Sequence, residues 1–114
     1  MPYAGVTTNT KYSKEQADAF CVDLVGILAD VTGKPVEYAM ASVRSADMAF
    51  GTSTDPCAYI EVFSIGSIGP ESNKNISAAI TGCVTKHLKI PAERVYLKLE
   101  NVQRSHWGFN GSTF

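Results

Sequence analysis

The residue with the most chemical potential is the second one. The chain opens Met1-Pro2-Tyr3-Ala4-Gly5, and if Met1 is trimmed it begins with a secondary amine. A proline nitrogen inside a chain is an amide without basicity, whereas at a terminus it is a rigid amine whose lone pair is aimed by the ring. Terminal amines titrate at roughly 7.7–8.0. Burial beside a cation lowers that value and leaves neutral base available near neutrality. Such a group suits general-base catalysis. Small second residues permit removal of the initiator, so the processed amine is the expected form. Taken alone, the dipeptide reads more simply as an ordinary proline at an exposed start, and the rest of the chain must justify anything more.

The cysteines are the other reactive side chains. Cys21, Cys57 and Cys83 are odd in number, widely separated and set among small or apolar residues. Neither a disulfide framework nor a zinc site is suggested, and buried thiols are expected. Asn75-Ile76-Ser77 and Asn110-Gly111-Ser112 are glycosylation sequons only for a chain that enters the secretory pathway.

Those residues need elements to hold them. Tyr3 to Thr8 mixes small, aromatic and β-branched residues and reads as a short strand with Pro2 at its leading end, where a missing N–H costs nothing. Ser13 with Gln16 is a capping box. Behind it Ala17, Phe20, Cys21, Leu24, Ile27, Leu28 and Val31 recur at helical spacing, a helix of about five turns that Gly33 and Pro35 stop. Tyr38 to Val43 is a strand candidate, and Gly51 to Pro56 is loop chemistry. Ala58 to Ile65 is apolar almost throughout, the pattern of a central strand buried on both faces. A second helix starts near Ser72, carries Ile76, Ala79, Ile80, Cys83, Val84 and Leu88, and ends before Pro91. Arg94 to Leu99 reads as a strand and Trp107 to Phe109 as a shorter one.

The order strand, helix, strand, strand, helix, strand contains an approximate duplication: Gly33-Lys34-Pro35 leads to Tyr38 as Lys89-Ile90-Pro91 leads to Tyr96. Two β-α-β units side by side predict an α+β fold, a four-stranded mixed sheet with two helices on one face. One domain over residues 1–114 is expected at this length. The other sheet face is left uncovered although Ala58 to Ile65 is apolar on both sides, which calls for a cyclic oligomer.

Composition excludes several roles. The apolar fraction is 45%, the charged fraction 18%, and the net charge −1 with both signs scattered. Nucleic-acid and membrane-surface binding have no electrostatic support. No apolar run approaches the roughly 20 residues of a membrane span. Nor does the start resemble a secretory signal, and a cytoplasmic location is expected.

In order and at family spacing, Met1-Pro2, Thr32-Gly33-Lys34-Pro35, Met48-Ala49-Phe50-Gly51, Pro56-Cys57-Ala58, Ser64-Ile65-Gly66, Arg94-Val95-Tyr96 and Ser112-Thr113-Phe114 resemble the macrophage migration inhibitory factor family. These are tautomerases that use an N-terminal proline. The resemblance runs end to end. It implies a homotrimer with active sites at the subunit interfaces and keto–enol tautomerisation of aromatic α-keto acids such as phenylpyruvate, and of D-dopachrome, with neither metal nor organic cofactor.

The resemblance also implies roles. Pro2 is the base, and Lys34 holds the substrate carboxylate and lowers the amine pKa. Ile65 binds through its backbone N–H beside Ser64. Tyr38 and Tyr96 are pocket aromatics, with Tyr96 reaching in from the neighbouring subunit. Lys98 stands on the pocket wall where the family usually has asparagine, Trp107 where a smaller aliphatic residue is usual, and Phe109 where tryptophan is usual, so a reshaped rim is expected. The Cys-x-x-Cys of some members is broken, with Ile60 three residues after Cys57, and no thioredoxin-like activity is expected. The family is associated with a second role, that of a cytokine-like ligand released without a signal peptide and acting on a cell-surface receptor. A plain scaffold without catalysis is the third reading.

Overall fold

The computed structural model describes residues 1–114. Strand β1 (Pro2–Thr8) is followed by helix α1 (Lys14–Thr32), β2 (Met40–Ser45), β3 (Ala58–Ser64), α2 (Asn73–Leu88) and β4 (Val95–Asn101). A terminal hairpin joins β5 (Gly108–Phe109) to β6 (Ser112–Thr113). The main sheet runs β2-β1-β3-β4. Its central pair β1/β3 is antiparallel and both outer pairings are parallel. This is the two-helix, four-stranded mixed sheet that the element order implied.

Local chemistry sets the helix ends. Ser13 Oγ accepts from the Gln16 N–H, and Gln16 Oε1 accepts from the Ser13 N–H, satisfying two donors that a bare helix start leaves unpaired. At the other end Gly33 takes φ 67° and its N–H returns to the last turn, a left-handed cap that glycine adopts without steric cost. Helix α2 lacks a side-chain cap at Ser72, and Lys89 fills the corresponding left-handed position with φ 58°.

The core forms between helices and sheet. Phe20, Leu24 and Leu28 from α1 and Ile76, Ile80, Val84 and Leu88 from α2 meet Ala4, Val6, Ile60 and Val62 in one buried cluster. Full burial of each large side chain stabilises by about 1.5–3 kcal/mol. Truncating Phe20, wholly inaccessible here, removes about 3–5 kcal/mol.

Three expected strands are displaced. The residues after Pro35 and Pro91 form single 3-10 turns, Val36–Tyr38 and Ala92–Arg94, so β2 begins at Met40 rather than Tyr38 and β4 at Val95 rather than Arg94. Proline fixes the φ at which such a turn starts. The third displacement is in the tail, where Gly108–Phe109 pairs with Ser112–Thr113. Asn110 at φ 53° and Gly111 at φ 77° make the primed turn that matches strand twist. Strand β3 also differs from expectation, because burial alternates: Ala58, Ile60, Val62 and Ser64 are buried while Tyr59, Glu61 and Phe63 are only half-buried. On its outer face Tyr3 stacks on Phe63 with centroids 6.3 Å apart.

Candidate active site

Antiparallel pairing brings the chain start to the end of β3: Pro2 is in register with Ser64, which pairs in turn with Asn101 on β4. Pro2 is buried. Beyond Ser64 the chain turns through Gly66, at φ 80°. Asn101 Oδ1 accepts the Gly66 N–H at 2.8 Å, and Ser67 Oγ donates to the Thr32 carbonyl at 2.6 Å. The first bond ties the turn to the end of β4 and the second to the C-terminal end of α1. A Cβ placed on Gly66 would stand 3.6 Å from Lys34 Nζ, an ordinary contact distance, so this cation lies against the turn. Ile65, the first residue past β3, is 9% exposed.

A cavity of about 540 Å³ opens where these ends meet. Met1, Pro2, Tyr38, Phe63, Trp107 and Phe109 are in its wall. The terminal hairpin forms one side, with Phe109 edge-on to Tyr38 at 5.4 Å and stacked on Phe114 at 5.6 Å. The Phe114 N–H donates to the Trp107 carbonyl and closes the hairpin base. Phe109 is half exposed, leaving an apolar wall for an aromatic ligand.

The electrostatics single out the chain terminus. Burial first, then the Lys34 ammonium, then the Arg104 guanidinium hold the Met1 amine below its ordinary value of 8.0. Each disfavours an ammonium there. Removal of Met1 would place the Pro2 amine one residue deeper in the same field.

The structure gathers some expected site residues and separates others. Pro2, Tyr38 and Trp107 line one cavity, with Ser64 paired to Pro2. The Ser64 hydroxyl is fully buried and has no hydrogen-bond partner. Tyr96 and Lys98 are exposed and lie elsewhere on the sheet, in register with Tyr59 and Glu61. Asn101 lies five residues along β4 from Tyr96, about 16 Å of strand. Within the single chain they do not reach Pro2. Tyr96 is held by the Met48–Gly51 segment, because Phe50 packs on its ring at 4.6 Å and Arg94 lies 5.3 Å from the Phe50 centroid.

Sequence reasoning missed Arg104 and His106. His106 lines the cavity, and both belong to a 3-10 turn, Arg104–His106, that no periodicity announces. The cysteines lie outside the cavity. All three are free thiols, and Cys83 is pushed up to about 12, by burial and then by the Asp23 carboxylate, which suppresses the thiolate that nucleophilic chemistry needs.

A family profile described as macrophage migration inhibitory factor (MIF) matches residues 1–114. The chain belongs to the macrophage migration inhibitory factor family. It is 42% identical to macrophage migration inhibitory factor of Xenopus tropicalis over 115 residues, covering all of this chain and 99% of the relative. Among solved structures, macrophage migration inhibitory factor from Giardia lamblia is 54% identical, with a TM-score of 0.81 over 88% of this chain and 98% of that one. The Toxoplasma gondii protein of the same name is 34% identical, with a TM-score of 0.93 over 98% and 99%. Family membership brings with it the general association with the tautomerase superfamily, and the fold described above is the family's fold. No helix is long and apolar enough to cross a membrane.

Proposed function

We propose that the processed chain is a cofactor-independent keto–enol tautomerase of small aromatic α-keto acids, phenylpyruvate among them and D-dopachrome as a further substrate, with the Pro2 amine as base. The carrying observation is the depressed pKa of the chain terminus inside an apolar cavity beside Lys34. Lys34 takes the substrate carboxylate as a charge-assisted partner, with the backbone N–H of Ile65 beside it. The neutral amine removes a proton from the carbon next to the carbonyl. The C–H electrons form the C=C bond, the carbonyl π electrons move to oxygen, and the proton returns there as O–H. No oxidant or reductant enters. A positioned base of this kind contributes on the order of 10²–10⁴-fold.

The site is completed in a homotrimer, where Tyr96 and Lys98 of a neighbouring subunit reach it. That reading is supported by their exposure and their distance along β4 from Pro2. The test is phenylpyruvate tautomerisation followed by ultraviolet absorbance, on protein whose mass shows Met1 removed, beside Pro2→Gly. A fall of at least about 100-fold is expected; equal rates would sink the proline-base mechanism.

A second reading is an extracellular signalling ligand for a cell-surface receptor, a role favoured by the name its relatives carry. It predicts receptor binding that survives Pro2→Gly. Export without a signal peptide and residence in the cytoplasm are both compatible with it.

A further inference from the structure

On the helical side of the fold, three side chains converge that share no residue with the cavity. Cys83 and His87 are four apart on α2, which places them one above the other on a single helix face. That face meets Asp23 of α1. Asp23 Oδ2 lies 2.7 Å from His87 Nε2 and 3.8 Å from Cys83 Sγ, and the three donor atoms all lie within 4.8 Å of one another. We propose that Asp23, Cys83 and His87 form a binding site for one zinc-class divalent ion, with a fourth position open to water.

The donor set is the first support. Thiolate, imidazole and carboxylate ligate zinc at about 2.3, 2.0–2.1 and 2.0–2.2 Å, and three protein ligands with one open position is an established zinc geometry. Softness selects the ion: thiolate and imidazole favour zinc and its late first-row neighbours over magnesium or calcium. Placement is the second support. Cys83 is buried at 2% exposure, the His87 side chain is 19% exposed and the Asp23 side chain 36%. The thiol therefore lies at the floor, and the other two ligands form a mouth through which water and ion enter. Phe20 packs edge-on against the His87 ring at 5.6 Å, holding it toward the cluster.

Two adjustments accompany binding. Tetrahedral ligands sit roughly 3.3–3.8 Å apart at these bond lengths, so the Asp23 carboxylate turns enough for the ion to replace its hydrogen bond to His87. Lys86 Nζ, 3.8 Å from Asp23 Oδ2, is a competing cation, and its side chain is 73% exposed and free to swing into solvent. The Cys83 S–H bond breaks as the sulfur–metal bond forms, and the proton leaves to solvent.

The test does not depend on the tautomerase reading. Reduced, metal-free protein is titrated with Co²⁺ and, separately, with Zn²⁺ by calorimetry. One ion per chain is expected, with a thiolate-to-cobalt charge-transfer band and tetrahedral d–d bands that Zn²⁺ displaces. Cys83→Ser should abolish the charge-transfer band. Asp23→Asn, which keeps the shape of the site, should weaken binding at least about 10–100-fold, the loss that even groups outside the coordination sphere cause. Cys57→Ser should leave the band intact, and circular dichroism confirms that each variant is folded. Absence of the charge-transfer band in the unmodified protein, or its persistence at full strength in folded Cys83→Ser, would overturn the assignment.

Discussion

The two ends of the β1/β3 pair are built on one frame and finished differently. The register passes through Gly5↔Glu61, so Pro2 and Ser64 at one end correspond to Ala58 and Thr8 at the other. Even the backbone repeats: the Ala46 N–H donates to the Thr8 carbonyl and the Val102 N–H to the Ser64 carbonyl, both at 2.9 Å. At the Thr8 end the strand terminus is tied down, although the neighbouring Thr10 hydroxyl has no partner. Thr8 Oγ1 donates to the Cys57 carbonyl at 2.8 Å, Asn9 Oδ1 accepts the Cys57 N–H, and Arg94 donates to the carbonyls of Ser53, Asp55 and Pro56. At the Ser64 end the hydroxyl has no partner and a cavity stands open. The position after the helix cap differs in the same sense, since it is Lys34 in the first half and the fully buried Ile90 in the second. One end is finished for stability. The other gives up hydrogen bonds and core to keep a charge beside an amine.

Substitutions can break that contrast, and after Pro2→Gly the largest effect is expected at Lys34. In the proposed mechanism Lys34→Ala removes a charge-assisted contact to the substrate carboxylate worth about 1.5–3 kcal/mol, about 10–100-fold in kcat/KM, with the melting temperature little changed. It also removes a positive charge that holds the terminal amine low. As the proposed base the amine must be neutral to act, so activity should rise as pH passes upward through its pKa, and Lys34→Ala should shift that acidic limb to higher pH. An unmoved limb would assign the field to burial and Arg104 alone.

The next comparison pairs Thr8 with Ser64. Thr8→Val keeps the shape but strips the Cys57 carbonyl of its donor and should cost about 1–3 kcal/mol in denaturant unfolding. Ser64→Ala removes a hydroxyl that satisfies nothing and should be neutral or slightly stabilising. If both cost the same, the two ends are not finished differently.

The smallest effect belongs to the caps. Lys89 occupies a left-handed position that Gly33 fills in the first half. Lys89→Gly should raise stability by up to about 1 kcal/mol, because a side chain is strained there. A measured loss would show that the bond from Lys89 Nζ to the Lys86 carbonyl outweighs the strain.

Legibility in the sequence followed the range of the interaction. The Ser13–Gln16 capping box, the glycine cap at 33 and the periodicity of α1 are short-range signals and were readable to the residue. The start of β2 was not, because Pro35 begins a 3-10 turn that carries Tyr38 out of the strand. The tail hairpin had a readable signal, Asn110-Gly111, hidden by its second meaning as a sequon. The outer face of β3 misled, since apolar residues alternate there with Glu61 and are only half-covered in one chain. Pro2 was singled out by the chemistry of a terminal proline amine and Lys34 by the resemblance, and the structure places Pro2 at the cavity and Lys34 beside Gly66. Arg104, and the meeting of Asp23 with Cys83 and His87 across 60 and 64 residues of chain, depend on tertiary packing that no local pattern encodes.

Met1 and Phe114 both stand in the wall of the same cavity. For anyone attaching a tag or reporter, that leaves no neutral end. An N-terminal fusion turns the amine into an amide, and a C-terminal one pulls on the ring that stacks against Phe109. A label that leaves the cavity alone belongs instead in an exposed surface turn such as Pro70–Glu71, ahead of α2.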